Sequence, residues 1–337
     1  MKVLRMIYQL FHQKNCHMPK KWFEFKKPII ALAPMADYTD QPFCLLCRKI
    51  SGNDFVIFRE MVSAEAIVRQ NKKTLKMCKI NNKERPVVIQ IFGAKSETIV
   101  EAAKIIVKKF KPDGIDINMG CPVAKIAGKN MAGASLMKDT VRAAKIVKAL
   151  KIAKLGVPIS VKTRLGWNDK KEILKFAPIL ETAGADLISI HGRTKSQGYS
   201  GEVDWSMIGQ AVKMVKIPVL ANGNIRTVED IKKCLDITKA AGVMIGRGAM
   251  GKPWIFREIQ NLKSKIKNNK EEIKKIVLQH AKLHFEHYGE RSMVTFRKHL
   301  AWYFKGDQIV ELENLKDLRI KLMKINSLSE LEELLKF

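Results

Sequence analysis

The sequence predicts an α/β fold, a (β/α)8 TIM barrel followed by a small C-terminal all-helical domain. Short apolar, β-branched segments recur between residues 29 and 246, and helical patterns separate most of them. Strands that alternate with helices form parallel βαβ units, and strands that are apolar on both faces are buried on both sides. About eight such units in roughly 220 residues match the strand count and length of a closed barrel.

The eight predicted strands follow one another along the chain in a regular way. They are IIALAP (29–34), DFVIFRE (54–60), PVVIQIF (86–92), GIDINM (114–119), PISVKT (158–163), DLISIH (186–191), IPVLAN (217–222) and GVMIG (242–246). Helical patterns such as SETIVEAAKIIVKKF and TVEDIKKCLDI lie between them. An open, doubly wound sheet is the alternative, but no GxGxxG fingerprint follows the first strand, which argues against it.

The strand pattern stops after about residue 260. The segment NKEEIKKIVLQHAKLHFEHYGE places apolar and histidine side chains at helical spacing. SLSELEELLKF begins with a capping-box pattern from Ser327 to Glu330. We therefore predict a catalytic barrel domain over residues 1–260 and a helical domain over residues 261–337, joined by the lysine-rich linker NLKSKIKNNK.

The chain carries a large excess of positive charge. Its 337 residues include 62 Lys and Arg against 33 Asp and Glu, which gives a formal net charge of +29. No fold requires such an excess, so it indicates a polyanionic partner, either nucleic acid or an anionic membrane surface. Hydrophobic residues make up 46% of the chain, which is enough for a sizeable core.

The cysteines and the N-terminal segment predict a soluble, cytoplasmic protein. The six cysteines are scattered and do not form a disulfide framework. Cys44 and Cys47 form a CxxC pair on a predicted amphipathic helix, so packing is the expected role and a redox or metal role is the alternative. No metal site is predicted. The N-terminus lacks a signal-peptide pattern, and no segment approaches the ~18 apolar residues of a membrane span.

Polar and glycine residues gather at the carboxyl ends of the predicted strands. TIM barrels hold their chemistry at this end of the barrel. In chain order the residues at these strand ends are Pro34, Met35, Ala36, Gln90, Asn118, Cys121, Lys162, Arg164, His191, Arg193, Asn222, Gly223, Asn224, Gly246 and Arg247, most of them polar or glycine. Random placement would distribute them over both ends, so the sequence predicts one functional rim.

The ends of the last two predicted strands indicate a phosphate site. Gly223, Gly246 and Gly248 would let backbone N–H groups approach an oxyanion, and Arg247 adds a positive charge. Barrels often bind phosphate after strands seven and eight. The alternative is that these glycines only form tight turns.

A phosphate at that position suggests a phosphorylated cofactor lying across the mouth of the barrel. Lys162 could then place a positive charge near a group that becomes anionic, and Gln90 could hydrogen-bond the edge of a heterocycle. A reduced flavin is such a group, and FMN fits a single phosphate better than a dinucleotide does. A lysine whose ammonium extends to solvent is the alternative for Lys162.

An ordered set of motifs covers roughly residues 28–305. It consists of APMADYTDQPF, VIQIFG, DINMGCP, VKTRLGW, IHGRT, ANGNI, IGRGAMGKPWIF and RKHLAWY. Single motifs such as NGNI also occur in other FMN barrels, but the ordered set resembles the tRNA-dihydrouridine synthases, with the bacterial B-type branch as the closest match. The resemblance implies an FMN-dependent barrel with a helical domain, which reduces the C5–C6 double bond of selected uridines in tRNA with NADPH.

The resemblance also implies roles for individual residues. It implies cofactor contacts at Pro34, Met35, Ala36, Gln90, Lys162, His191, Asn222, Gly223, Asn224, Gly246 and Arg247. Relatives often have Asp where this chain has Asn224, and the loss of a negative charge beside a phosphate leaves the assignment unchanged.

Cys121 is implied to donate a proton. Hydride transfer from reduced FMN to uracil C6 leaves negative charge over C5 and O4, and a proton must reach C5 from the opposite face. A thiol with an ordinary pKa of ~8.5 is mostly protonated at neutral pH and can serve as the acid. The alternative is that Cys121 is a small buried packing residue.

Several residues are expected to contact the tRNA substrate. They are Asn118, Arg164, Arg193 and Lys195 on the barrel, and Arg297 and Lys298 on the helical domain. A solvated basic face is the alternative for Arg297 and Lys298. His299, Trp302 and Tyr303 are expected to be core or substrate-contacting residues, and a monomer is the expected oligomeric state.

Two other functions remain open at this stage. A metabolic FMN barrel such as a dihydroorotate dehydrogenase also acts on a pyrimidine C5–C6 bond, but the positive charge and the helical extension argue against it. A catalytically silent tRNA-binding protein would not need Cys121, Lys162, His191 and Arg247 together.

Overall fold

The computed structural model describes residues 28–129, 131–260, 270–305 and 315–336. The predictions about the N-terminal segment and about most of the linker NLKSKIKNNK lie outside these residues. In the described chain, eight parallel strands follow one another in sequence order and close into a barrel. The barrel closes because β1 pairs with β8, with Ile29 opposite Gly242 and Leu32 opposite Ile245. The predicted barrel with C-terminal helices is therefore confirmed.

The observed strands lie where the apolar segments predict them. They are β1 (Ile29–Leu32), β2 (Val56–Ser63), β3 (Val87–Phe92), β4 (Gly114–Met119), β5 (Ile159–Arg164), β6 (Leu187–His191), β7 (Val219–Asn222) and β8 (Gly242–Ile245). The largest difference from the prediction is in β2, which continues to Ser63, because a register shift between Arg59 and Val62 lets the strand continue its pairing with β3.

The helices occupy the outside of the barrel and the C-terminal region. They are α1 (Gln41–Ser51), α2 (Ala64–Val68), α3 (Lys72–Met77), α4 (Ser96–Phe110), α5 (Thr140–Ile152), α6 (Glu172–Thr182), α7 (Trp205–Lys213), α8 (Val228–Thr238), α9 (Ile255–Gln260), α10 (Lys270–Tyr288), α11 (Met293–Tyr303), α12 (Leu315–Leu322) and α13 (Leu328–Leu334). No helix in the described ranges is long and apolar enough to cross a membrane.

The inside of the barrel is apolar at one end and polar at the other. The apolar part is formed by inward side chains that include Ile29, Phe58, Val88, Leu187 and Leu220. Toward the carboxyl ends, the register places Gln90 opposite Asp116, Asn118 opposite Lys162, and His191 opposite Asn222. Every second residue of a strand points to the same face, so these polar side chains share the barrel interior.

The C-terminal helices pack directly on the barrel. Their core contains side chains of α10, α11, α12 and α13 together with Leu46 of α1 and Trp254 of the barrel. Gly251 (φ +70°) allows a close approach, because a Cβ atom at this position would lie 2.4 Å from the carbonyl oxygen of Trp302. The helical core therefore includes two side chains from the barrel region, and the domain boundary at residue 260 stays a prediction.

Candidate active site

The carboxyl ends of the strands open into a cleft with about 1400 Å³ of empty space, part of it open to solvent. The predicted site residues that line it are Pro34, Met35, Ala36, Gln90, Asn118, Cys121, Lys162, Arg164, His191, Asn222, Gly223, Asn224, Gly246 and Arg247. The fold thus brings the strand-end residues together, as the barrel topology requires. Arg193, Lys195, Arg297 and Lys298 are not among the residues that line the cleft.

A chain of hydrogen bonds holds the Cys121 loop to the interior of the barrel. The Oδ1 atom of Asn118 accepts the backbone N–H groups of Gly120 (3.1 Å) and Cys121 (2.9 Å). The Nδ2 atom of Asn118 donates to Oε1 of Gln90 (2.8 Å), and Nε2 of Gln90 donates to Oδ2 of Asp116 (2.6 Å). Asn118 is therefore placed to position Cys121.

Asp116 lies at the base of this chain of hydrogen bonds. The hydroxyl of Ser160 donates to its Oδ1 atom at 2.6 Å. Burial raises the pKa of Asp116 to about 6, although the hydrogen bonds from Ser160 and Gln90 and the charge of Lys162 act in the opposite direction. Asp116 was missed at the level of sequence, yet it is in phase with Asn118 along β4, and that alternation is the signal that identifies it.

Cys121 is half-buried at the mouth of β4 and carries a free thiol. Burial raises the pKa of this thiol, while the backbone N–H of Val123 and the charges of Arg164 and Lys162 act to lower it. Because burial has the larger effect, Cys121 stays protonated at neutral pH. A protonated thiol that faces a ligand cleft can act as a general acid.

Lys162 extends from β5 into the cleft. Burial and the neighbouring charge of Arg164 lower its pKa to about 8, and the charge of Asp116 opposes this shift. Within the described ranges, its ammonium has no hydrogen-bond partner. A cation with a lowered pKa and no hydrogen-bond partner in the described chain is suited to an anionic ligand.

His191 lies among cationic side chains. Its pKa is held well below the ordinary value, first by burial and then by the charges of Lys162, Arg164, Arg193 and Arg247. The imidazole is therefore neutral. Its Nε2 atom lies 3.4 Å from Nη1 of Arg193. A guanidinium group can only donate, so Nε2 accepts and Nδ1 carries the proton.

The loops after β7 and β8 present donors to the cleft. Gly223 (φ +122°) and Asn224 (φ +51°) have left-handed backbone conformations. Among hydrogen bonds between described residues, the backbone N–H groups of Asn224 and Arg247 donate to none. The Arg247 guanidinium lies 5.0 Å from the ring centroid of Tyr199. A Cβ atom on Gly246 would meet only Met35 and Ala33, at 3.5 and 3.6 Å. This corner of the cleft offers N–H groups and a cation to an oxyanion.

Arg193 and Arg164 are largely occupied by backbone carbonyl groups. Arg193 is 3% exposed and donates to the carbonyls of Ser200 and Gly201. Arg164 lines the cleft but donates to the carbonyls of Gly120 (2.7 Å), Thr194 (3.0 Å) and Gly198 (2.7 Å). These bonds favour a role in positioning loops, and direct substrate contact by either arginine stays a prediction.

Arg297, Lys298 and Lys195 lie outside the cleft. Arg297 donates to the carbonyls of Lys324 (3.0 Å) and Ile325 (2.9 Å), which joins α11 to the segment before α13. Lys298 places its ammonium 5.7 Å from the centroid of the Tyr38 ring. Lys195 lies 4.4 Å from the Trp167 ring centroid. Substrate contact by these three side chains stays a prediction, and the carbonyl bonds of Arg297 favour a structural role.

The helical region contributes one wall of the cleft. Trp302 of α11 lines it together with Tyr38, and the indole Nε1 atom donates to the Tyr38 hydroxyl at 3.4 Å. His299 and Tyr303, on the same helix, are buried in the core. Helical periodicity alone does not distinguish the exposed face of α11 from its buried face, so the sequence left the role of Trp302 open. Tyr199 and Met61 also line the cleft and were not predicted.

Sequence comparison relates the chain to one enzyme family. Residues 31–336 match the family model described as "Dihydrouridine synthase (Dus)". The chain is 37% identical over 310 residues to "Probable tRNA-dihydrouridine synthase 1" of Synechocystis sp., covering 90% of this chain and 84% of that protein. It is 37% identical over 281 residues to "tRNA-dihydrouridine synthase B" of Pseudomonas syringae pv. tomato, covering 81% of this chain and 82% of that protein. The predicted family resemblance is confirmed.

Comparison with solved structures supports the fold. Morphinone reductase superposes with a TM-score of 0.52 at 10% sequence identity, covering 73% of this chain and 88% of that protein. Histamine dehydrogenase from Rhizobium sp. 4-9 superposes with a TM-score of 0.52 at 12% identity, covering 75% of this chain and 48% of that protein. At these identities the similarity concerns the fold alone.

Proposed function

Because the chain belongs to the dihydrouridine synthase family, we propose that it reduces the C5–C6 double bond of uridines in tRNA to 5,6-dihydrouridine, with bound FMN and with NADPH as the reductant. One observation carries the proposal. A single cleft combines the Cys121 thiol, the Lys162 ammonium and the backbone N–H groups of Asn224 and Arg247, which have no partner among the described residues. The names of the relatives indicate tRNA uridine as the substrate, and the residues of the cleft are chemically suited to its reduction.

The residues of the cleft fit FMN. The Asn224 and Arg247 corner offers donors to one phosphate group, and the described residues that line the cleft include no carboxylate to oppose an anion there. Gln90 retains one N–H and one lone pair beyond its bonds to Asp116 and Asn118, which suits the edge of a flavin ring. When bound, FMN would supply the hydride for uracil C6.

Cys121 is proposed to supply the proton for uracil C5. The S–H bond breaks as the C–H bond forms, and the resulting thiolate recovers a proton from solvent. Burial keeps the thiol protonated before the reaction, because it raises the pKa. Asn118 holds the backbone N–H of Cys121 at 2.9 Å and so acts as a positioning residue. A correctly placed acid contributes about 10²–10⁴-fold to a rate.

Lys162 and His191 are proposed to play different parts. The lowered pKa of Lys162, about 8, still leaves the ammonium mostly protonated at neutral pH, so it can stabilise negative charge in the cleft. His191 is neutral and holds its proton on Nδ1, so it can donate a hydrogen bond without adding charge. Lys162 and His191 would thus present one cation and one neutral hydrogen-bond donor to a ligand in the cleft.

The tRNA is proposed to bind across the cleft and the helical region. A stacked uridine must leave the RNA helix to reach the cleft, and such extrusion costs a few kcal/mol. The formal net charge of +29 supplies attraction for the phosphate backbone. Tyr38 and Trp302 add aromatic surface to the wall of the cleft. The assignment of residues 261–337 as a tRNA-binding domain, a monomeric state and a cytoplasmic location are part of the same proposal.

A reconstitution experiment tests the proposed function. The purified full chain is denatured to identify any released flavin, and the native protein is incubated with NADPH and unmodified tRNA transcripts. We expect FMN and NADPH-dependent dihydrouridine, detected by mass spectrometry of digested tRNA. Oxidation of dihydroorotate without action on tRNA would instead support a metabolic FMN enzyme. A preparation without flavin that binds tRNA would support a silent binding protein.

A further inference from the structure

A cluster of buried metal-ligand side chains lies where the helical region meets the barrel, outside the cleft. Asp40, His280 and His299 are all buried, and each offers one ligand atom such that the three atoms lie within 4.8 Å of one another. His284 adjoins them, with its Nδ1 atom 3.7 Å from Oδ2 of Asp40. We call these four residues the histidine cluster. It joins three helices, because Asp40 caps α1, His280 and His284 belong to α10, and His299 belongs to α11.

Three ring nitrogens of the histidine cluster have no hydrogen-bond partner among the described residues. They are Nε2 of His280, Nδ1 of His284 and Nε2 of His299. Buried polar atoms in native proteins are nearly always satisfied, and an unsatisfied one costs about 1–3 kcal/mol. Three such atoms around one carboxylate could therefore serve one shared ligand that accepts nitrogen lone pairs.

The opposite atoms of Asp40, His280 and His284 are already held by other groups. Nδ1 of His280 lies 3.0 Å from the Tyr303 hydroxyl, and Nε2 of His284 lies 3.0 Å from the Thr295 hydroxyl. Oδ1 of Asp40 accepts the backbone N–H of Phe43 at 3.0 Å, which leaves Oδ2 facing the cluster. Metal-binding histidines usually have the second ring nitrogen fixed by an outer hydrogen bond in this way.

The rings of the histidine cluster pack against aromatic side chains, and the Phe296 ring centroid lies 4.9 Å from that of His280 and 5.3 Å from that of His284. A metal ion binds an imidazole through the lone pair of its unprotonated nitrogen. The aromatic ring of Phe43 stacks on His299 with centroids 5.9 Å apart, so the surroundings limit ring movement.

We propose that Asp40, His280 and His299, with His284 beside them, bind one divalent transition-metal ion. Imidazole nitrogens with one carboxylate suit Zn²⁺, whereas Mg²⁺ and Ca²⁺ prefer oxygen ligands. Zn–N bonds of about 2.0–2.1 Å place tetrahedral ligand atoms about 3.3 Å apart, so the side chains would move inward on binding. The Tyr288 hydroxyl, 3.1 Å from Oδ2 of Asp40, would then become an outer partner.

A metal at the histidine cluster would fasten the helical region to the barrel. Asp40 follows directly after the loop that carries Met35 and Ala36, and Trp302 lies one helical turn beyond His299. One ion would thus link the first loop of the cleft with the helix that supplies its aromatic wall. The ion is proposed as structural, and the inference does not depend on the proposed reaction.

Metal content tests the proposal directly. The full chain is purified without an affinity tag made of histidines, and its metals are measured by mass spectrometry. We expect about one Zn²⁺ per chain, in line with the ligand count of a single site. After removal of the metal with a chelator, adding Zn²⁺ should raise the melting temperature, and Co²⁺ should give the visible absorption bands of a tetrahedral site.

A matched pair of substitutions assigns the site. Asp40→Asn keeps a cap acceptor for α1 but removes the carboxylate, whereas Asp139→Asn makes the same change at the cap of α5, where Oδ1 accepts the backbone N–H of Arg142. We expect Asp40→Asn to weaken Zn²⁺ binding at least about 10–100-fold, the range seen even for outer-shell changes. Asp139→Asn should leave the affinity unchanged.

Two results would overturn the inference. If the wild-type chain holds no stoichiometric metal and gains no thermal stability from Zn²⁺, the cluster is only a set of packed imidazoles. His12, Cys16 and His17 offer a second set of possible ligands in the sequence. If their triple alanine variant loses the metal while Asp40→Asn and His299→Phe retain it, the ion belongs to that segment and the proposal is wrong.

Discussion

The region around α1 and the cleft both combine cysteine with basic side chains. The two regions differ in whether these basic groups are bound by other groups of the protein. Around α1, Arg59 forms a 2.8 Å ion pair with Glu84, and both side chains are at most 3% exposed. Arg48 donates to the carbonyls of Gly52, Phe55 and Glu84. In the cleft, the ammonium of Lys162 has no hydrogen-bond partner within the described ranges.

The difference separates a network whose charges pair within the protein from a cleft whose lysine is open to a ligand. Burial raises the pKa of Cys47 well above its ordinary value, and Cys44 donates weakly to the Thr39 carbonyl at 3.6 Å. Both thiols lie inside α1 and are fully buried. Cys121 instead faces open space at the end of a strand. Packing is therefore the better account of the CxxC pair, and chemistry the better account of Cys121.

The largest effect is expected when the Cys121 thiol is removed, with the Cys47 thiol as the comparison. Cys121→Ala should lower the rate of dihydrouridine formation by about 10²–10⁴-fold, because the proton donor is lost. Flavin content and flavin reduction by NADPH should stay unchanged, and both are measured by absorbance. Cys47→Ala is the matched control and should change mainly the melting temperature. Equal rates in Cys121→Ala and the wild type would remove the distinction between the two regions.

Breaking the ion pair under α1 should affect folding rather than ligand binding. Arg59→Ala would leave the Glu84 carboxylate buried without its partner, which costs about 3–5 kcal/mol of unfolding free energy. Chemical denaturation of the purified variant measures this loss. Arg69→Ala is the control, because that side chain is 79% exposed, and its stability should stay near wild type. A small loss in Arg59→Ala would show that the network tolerates an open charge.

Removing the Arg247 guanidinium, which is proposed to bind the FMN phosphate, should affect ligand binding rather than folding. Arg247→Ala should weaken FMN binding by about 10–100-fold, as expected for a lost bond to a charged group worth about 1.5–3 kcal/mol. The unfolding free energy of the flavin-free chain should change little, because Arg247 is only partly buried. Flavin occupancy after purification, followed by titration with FMN, provides the measurement. Unchanged affinity would place the phosphate elsewhere.

The smallest effect concerns pH. The pKa of Lys162 is lowered from 10.5 to about 8, so burying the ammonium destabilises the flavin-free fold below about pH 8 and this penalty fades as the pH rises toward 10.5. Lys162→Met should therefore be more stable than wild type at pH 7, by about 1–2 kcal/mol after allowance for partial exposure. The gain should vanish above pH 10.5. Thermal unfolding across this range tests the sign, with exposed Lys104→Met as the control.

The residues of the cleft were predictable because all strands of a parallel barrel end on the same face. Residues that follow the same local strand pattern are therefore brought together. Gln90, Cys121 and Arg247 are far apart in sequence, yet each lies within two residues of the carboxyl end of a strand, and topology alone places them on one rim. Asp116 required only the alternation along β4. These features depend on short-range patterns and on one rule of fold assembly.

Other features depend on contacts that no local pattern specifies. The histidine cluster forms because α10 and α11 pack on α1, which brings Asp40 within reach of His280, 240 positions later in the chain. Arg193 and Arg297 donate hydrogen bonds to backbone carbonyl groups outside the helices and strands. Every residue has such a carbonyl group, so the sequence does not mark which ones an arginine will bind. Sequence reasoning therefore identified basic residues well, but it did not distinguish those used by the protein itself from those available to a ligand.

The contact at Gly251 holds α11 close to the barrel, and Trp302 of this helix lines the cleft. There is no room for even one methyl group between this glycine and the Trp302 carbonyl, so the barrel and α11 are in close contact at this position. An RNA that approaches Trp302 would meet a surface formed jointly by the barrel and α11, so a change in their packing at Gly251 would alter the shape that the RNA contacts.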